Sequence, residues 1–318
     1  MITWLPVIAG KIAWTWRVNP MLGRIIESCL WVLSRLPRGA SQFLGRLIGR
    51  LNWLFKTRSY QVTHANLSLC FPDMEKGERE YLEQQSLMNT GQTLMEIPAA
   101  WLASPEQLGR WINRISGEHL LDTAIAEGKG VIILLPHIGN WELFNLYYSA
   151  RGKMTALYQP PRKAYLREMM KRIRHRFGNE LVATNARGIT RLYRRLEEGG
   201  TVIVLPDQVP ASGIYVPFFG VDALSDKLIS RLVQKTGARV VAATVTRLEN
   251  GQFEVGIKAA DDTIYSDDIV TSVRAVNKTV EDCVREIPAQ YQWEYKRFRE
   301  RPAGQKKVYR FNKPEAFH

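Results

Sequence analysis

Two kinds of apolar spacing divide the chain near residue 115. Before that point, Met21–Leu36 and Ala40–Phe55 repeat apolar residues at helical spacing, with Pro37–Gly39 as the break between them. Phe71-Pro72-Asp73 marks a turn ahead of a charged helix over Glu75–Gln85, and Pro98 and Pro105 punctuate two further helical pieces. From about Ser116 short β-branched runs take over. Val131–Leu135, Met154–Tyr158, Val202–Leu205, Val240–Val245 and Phe253–Ile257 each predict a buried strand. Helices are predicted over Trp141–Ala150, Ala164–Phe177, Gly188–Glu198 and Leu224–Thr236, the last stopped by Gly237. Strands alternating with helices predict an α/β fold: a mainly parallel or mixed sheet covered by helices. The change near 115 is one of pattern and not a linker. It suggests a helical layer against an α/β body, with segments at 1–60, 61–115, 116–303 and a tail at 304–318.

Charge sharpens this picture. The 318 residues carry 44 Lys+Arg against 31 Asp+Glu, a net charge of +13, so anionic partners are expected. Cys29, Cys70 and Cys283 have no CxxC spacing, and the histidines (His64, His119, His137, His175, His318) form no HExxH. Neither a disulfide framework nor a metal centre is expected, and reduced thiols facing the cytosol fit best. Met1–Gly10 is apolar but has no basic segment before it, so a cleaved signal peptide is not expected. No uncharged run reaches the ~18–20 residues of a membrane span. Met1–Tyr60 nevertheless holds nine basic residues and one acid, Glu27, together with Trp4, Trp14, Trp16, Trp31 and Trp53. That mixture describes an element lying in a membrane interface, the alternative being core helices with a solvated basic face. The pattern leaves open whether Ile25–Leu36 spans, tilts or lies flat.

The most informative segment is Val131–Glu142. A buried strand ends, Pro136-His137 follows, and Gly139-Asn140 opens a helix. Ligands of open α/β sheets bind beyond the carboxyl ends of strands, where His137 would sit. Glu142 in the first helical turn could reach back to the imidazole, fix its tautomer and make the other ring nitrogen a base. Backbone N–H groups at the helix start could hold an oxyanion. There is no GxSxG, Walker loop or GxGxxG, and no Cys lies near a His. A His–Glu base without a protein nucleophile would activate a hydroxyl of the substrate. The alternative is a polar turn residue capping the next helix.

Five ordered blocks carry a resemblance. They are His64–Pro72, Leu135–Glu142, Leu205–Gln208, Val216–Gly220, and Gln292–Phe298 with Arg301-Pro302. Over roughly residues 20–303 the chain resembles the lipid A late (secondary) acyltransferases of lauroyl/myristoyl type. These share an H-x4-D/E motif with a wider, glycerolipid-acyltransferase-like group, met here as His137 and Glu142. The resemblance implies direct acyl transfer from acyl carrier protein to a hydroxyl of a lipid A precursor, with His137 as general base and Glu142 orienting it. No metal or redox cofactor is implied. A site at the cytoplasmic face of the bacterial inner membrane is implied, with no nucleic-acid partner.

It also implies substrate-binding roles for Asn140, Trp141, Tyr158, Arg162, Lys163, Asp207, Gln208, Phe218 and Phe219. Several of these keep a second reading. Gln159 stands where many relatives have Arg, and the phosphate or thioester contact passes to Arg162, or else Arg162 is a surface charge. Asp207 is a helix-capping or architectural residue, or a second base. Phe218 and Phe219 wall an acyl pocket or belong to the core. The basic run Arg162–Arg195 meets headgroups, the acidic carrier protein or water. The same chemistry on another lipid, transfer to water, and a lipid-binding protein without catalysis are the competing functions.

Overall fold

A computed structural model describes residues 20–158, 177–309 and 311. Residues 1–19 and the predicted helix 164–177, except Phe177, lie outside them. So do Arg162 and Lys163. The apolar runs become a seven-stranded mixed sheet. Its strands are β1 (Ile112–Ser116), β2 (Val131–Leu134), β3 (Met154–Tyr158), β4 (Glu180–Ala183), β5 (Thr201–Val204), β8 (Arg239–Arg247) and β9 (Phe253–Ala259), in the order β1-β9-β8-β2-β5-β3-β4. β6 (Ile214–Phe218) and β7 (Val221–Ser225) form a separate hairpin. β2 pairs in parallel with β5 and with β8, and β8 meets β9 antiparallel.

β2 is buried on both faces, as a central strand covered by helices must be. Its alternate side chains enter two cores. Ile132 and Leu134 join Leu192, Leu196, Val276 and Val280 on one face, whereas Val131 and Ile133 join Leu121, Phe144 and Tyr148 on the other. The helix Ile269–Glu286 on the first face and the edge strands β1 and β4 lie beyond the elements that the pattern predicted.

Three predicted boundaries are corrected. Leu224 and Ser225 pair with Tyr215 and Ile214 in the hairpin, so the helix begins at Leu228, whose N–H is accepted by the Asp226 carboxylate at 2.9 Å. Trp141–Ala150 is a 3-10 turn, Trp141–Leu143, followed by a helix over Phe144–Ser149. Pro98 does not end its helix: α4 runs through it from Lys76 to Leu102. Proline removes one N–H donor, but Ile97–Trp101 are all buried, and that packing holds the helix where propensity would break it.

Before the sheet come α1 (Pro20–Ser34), α2 (Arg38–Leu54), α3 (Arg58–Cys70) and then α4. α2 crosses α4 at backbone contact. A Cβ built on Gly91 would enter the carbonyl of Gly45, and one on Gly49 would enter that of Leu87. The side of α2 turned inward is accordingly small and polar: Ser41, Gln42, Gly45 and Gly49. Its apolar residues face out, with Phe43 60% and Phe55 71% exposed, beside Leu44, Leu47, Leu51 and Leu54. Ile25, Trp31 and Val32 of α1 are exposed as well. No helix of the described residues is long and apolar enough to cross a membrane.

Candidate active site

β2 and β5 run parallel with Leu134 opposite Val204, and both continue as Leu-Pro before turning away from the sheet. The same register sets His137 beside Asp207. The His137 N–H donates to Asp207 Oδ2 at 2.9 Å, and Nδ1 meets Oδ1 at 2.8 Å. Both side chains are almost wholly buried. Burial alone would push the Asp207 carboxyl up; the His137 charge and hydrogen bonds outweigh it and hold Asp207 below the usual aspartate range. An Nδ1–H donated to Asp207 leaves Nε2 as the lone-pair nitrogen, and there the Gln208 side-chain amide approaches at 3.3 Å. Trp141 lies edge-on to the ring at 4.7 Å between centroids.

The turn after β2 is locked from three sides. Gly139 has φ +58, and a Cβ there would enter the carbonyl of Val245. Its N–H donates to Gln290 O at 2.9 Å, and its carbonyl accepts from Thr93 Oγ1 at 3.0 Å. Asn140 donates backbone N–H to Val245 O at 2.8 Å and side-chain Nδ2 to Glu96 Oε2 at 3.2 Å. Glu96 is clamped by Arg247, with Nε to Oε1 at 2.8 Å and Nη2 to Oε2 at 2.6 Å, and also takes Gln42 Nε2 of α2 at 2.9 Å. The C-terminal segment closes the site: Gln292 N–H donates to His137 O at 3.1 Å. Asn66 of α3 ties that segment down through Trp293 O at 2.6 Å and Tyr295 O at 2.8 Å.

A small hollow adjoins His137. It is lined by Thr90, Thr93, His137, Gly139, Trp141, Gln290, Gln292 and Glu294. A second small hollow is lined by Glu142 with Ala100, Trp101, Asn145, Phe177, Asn179 and Leu181.

The expected pairing set Glu142 against the His137 ring. Asp207 occupies Nδ1, and Glu142 lines the second hollow. The backbone N–H groups of His137, Ile138, Gly139 and Asn140 donate to Asp207, Pro136 O, Gln290 O and Val245 O.

Of the remaining candidates, Trp141, Asp207 and Gln208 converge on His137, whereas Asn140 is buried against Glu96. Tyr158 ends β3, outside both hollows, with its carbonyl accepting from Thr184 N–H at 3.2 Å. Phe218 and Phe219 lie in the core with Phe71, Tyr291, Trp293 and Phe298 and line neither hollow. Thr90, Gln290, Gln292 and Glu294 were not singled out as candidates. The signal for the last two was the Gln292–Phe298 block itself. Among the described residues, no cluster of three or more His, Cys, Asp or Glu side chains could hold a metal ion.

A family model for the bacterial lipid A biosynthesis acyltransferases matches residues 21–300. The chain is 27% identical over 279 residues to the lipid A biosynthesis lauroyltransferase of Escherichia coli (strain K12), covering 86% of this chain and 90% of that protein. Against the palmitoleoyltransferase of the same strain it is 27% identical, covering 88% and 92%. Against the myristoyltransferase it is 26% identical, covering 84% and 82%.

Proposed function

This chain belongs to the bacterial lipid A biosynthesis acyltransferases, and we propose that it transfers a fatty acyl chain from acyl carrier protein to a hydroxyl of a lipid A precursor, completing a secondary ester. The observation that carries the chemistry is the division of labour on one ring. Asp207 takes His137 Nδ1, while Nε2 has only the Gln208 amide before it at 3.3 Å, and His137 lines the hollow.

A substrate hydroxyl displacing that amide gives its proton to Nε2 as its oxygen attacks the thioester carbon. Asp207 holds the tautomer and stabilises the imidazolium that forms. No cysteine or serine nucleophile lines the hollow, so the acyl group passes directly to the acceptor. The reaction calls on no metal or redox cofactor.

The outward apolar stripe of α1 and α2, with exposed Arg24, Arg35, Arg46, Arg50, Lys56 and Arg58 along it, is the element proposed to lie in the inner membrane on its cytoplasmic face. The opposite side of α2 reaches the catalytic turn through Gln42, Glu96 and Asn140.

The test is transfer between acyl–acyl carrier protein thioesters and a lipid A precursor, followed by mass spectrometry. His137→Ala should lose ~10²-fold or more, and Asp207→Asn a comparable amount with the acid limb of the pH–rate profile displaced. Glu142→Gln should leave that limb in place. Full activity of His137→Ala, or acyl release to water with no need of an acceptor, overturns the reading.

A further inference from the structure

Acyl transfer needs more than a base. When a hydroxyl adds to a thioester, negative charge gathers on the carbonyl oxygen, and a donor must meet it. The amides from His137 to Asn140 are spent on protein acceptors. The buried Arg247 is spent on Glu96, Asn89 and Thr93.

One acid lines the His137 hollow: Glu294. Its Oε2 accepts from Thr90 Oγ1 at 2.9 Å. Its Oε1 is shut off from solvent, with the Gln292 side chain beside the carboxyl and Gln292 Oε1 equally shut off from solvent. An ionised carboxylate so placed would keep a charged oxygen poorly satisfied, whereas a protonated one carries an O–H that can be offered to the Gln292 amide oxygen or to a group in the hollow. Burial pushes the Glu294 carboxyl up to about 7, against the lowering pull of its own backbone, Thr90 and Gln292.

We propose that Glu294, as a neutral carboxylic acid, donates a hydrogen bond to the carbonyl oxygen of the acyl donor and so acts as a second catalytic residue beside His137. This rests on the acyl-transfer reading. As the acceptor oxygen bonds to the acyl carbon, its proton goes to His137 Nε2 and the carbonyl π pair moves to oxygen. Glu294 steadies that oxygen without releasing its proton. The double bond then re-forms, the C–S bond breaks, and His137 returns its proton to the departing sulfur. A carboxylic acid kept neutral in an apolar site is an established way to supply such a donor.

Only the protonated form donates, so activity falls as pH rises through the Glu294 titration. The groups facing Glu294 permit this. His137, backed by Asp207, is the other titratable group on the hollow, and Thr90 and Thr93 of α4 and Gln290 and Gln292 are uncharged. Arg247, which donates to Thr93, is neutralised by Glu96.

The experiment is the pH profile of kcat with the acyl–acyl carrier protein thioester and the lipid A precursor saturating. Glu294→Gln keeps a donor and cannot titrate. It should retain activity within about tenfold and lose the alkaline limb. Glu294→Leu should lose ~10²-fold in kcat with little change in acceptor KM. An unchanged alkaline limb in Glu294→Gln, or near-full kcat in Glu294→Leu, overturns the proposal. If Glu294→Leu does not fold, the Glu294→Gln profile decides alone. His137→Ala run alongside separates the two ideas: its survival defeats the acyl-transfer reading, whereas its loss beside a fully active Glu294→Leu defeats only the role of Glu294.

Discussion

The helix Ile269–Glu286 and α2 are both amphipathic, and they face opposite ways. The first turns Val273, Val276, Val280 and Val284 into the sheet, as a helix of a globular core does. α2 turns Ser41, Gly45 and Gly49 inward and leaves Phe43, Leu47, Leu51 and Leu54 outside. One helix is held by burial of large side chains. The other is held by close backbone approach and a buried polar contact, Gln42 to Glu96, and its apolar face stays exposed among the described residues. Periodicity fixes how wide an apolar stripe is, but the residues that fit against a neighbour decide which side faces in.

That contrast can be broken by exchanging what each helix tolerates. The largest loss is expected from Gly91→Val, which forces a branched side chain into the Gly45 carbonyl and pushes α2 off α4; a stability loss of about 3 kcal/mol or more should appear in denaturant unfolding. Val280→Ala, 3% exposed, should cost about 2 kcal/mol by the same measurement. Leu47→Ser, on the outward face, should change stability by less than about 0.5 kcal/mol while reducing binding to anionic vesicles about tenfold, as read by vesicle sedimentation. An equal loss of stability from Leu47→Ser and Val280→Ala would mean that α2 faces protein and not lipid.

The smallest effect concerns acid. The Asp207 carboxyl is held below its usual range in the folded state, so the stability it adds is present above the ordinary aspartate pKa and is lost as pH falls through its lowered value. Asp207→Asn should flatten the acid side of the unfolding curve measured against pH.

The central strands were legible because β-branched runs buried on both faces admit few other readings; Met154–Tyr158 has the same ends in sequence and structure. β1 escaped because four of its five residues, among them Asn113 and Arg114, are exposed at a sheet edge, and β4 because it is short and half-buried. The hairpin was hidden by Pro217 and by Phe219, a non-glycine residue at φ +51. Pro98 misled because propensity is local and burial is not.

Strand-end logic finds His137, but it looks for a partner five residues on, whereas Asp207 stands seventy residues away along the chain and 2.8 Å away in space. The clue was present, since Leu135-Pro136-His137 and Leu205-Pro206-Asp207 are the same phrase on two strands. Reading it required knowing that those strands are neighbours in register.

The chain by itself determined the α/β class, the buried strands, the imidazole at a sheet edge and the family blocks. Each of these follows from the order and type of nearby residues. Tertiary structure alone decided that Asp207 holds the ring, that Glu142 looks into another hollow, that Glu294 shares the first, and that α2 shows its apolar side to the outside. Those outcomes depend on strand register and helix crossings, which set distances between residues far apart in sequence.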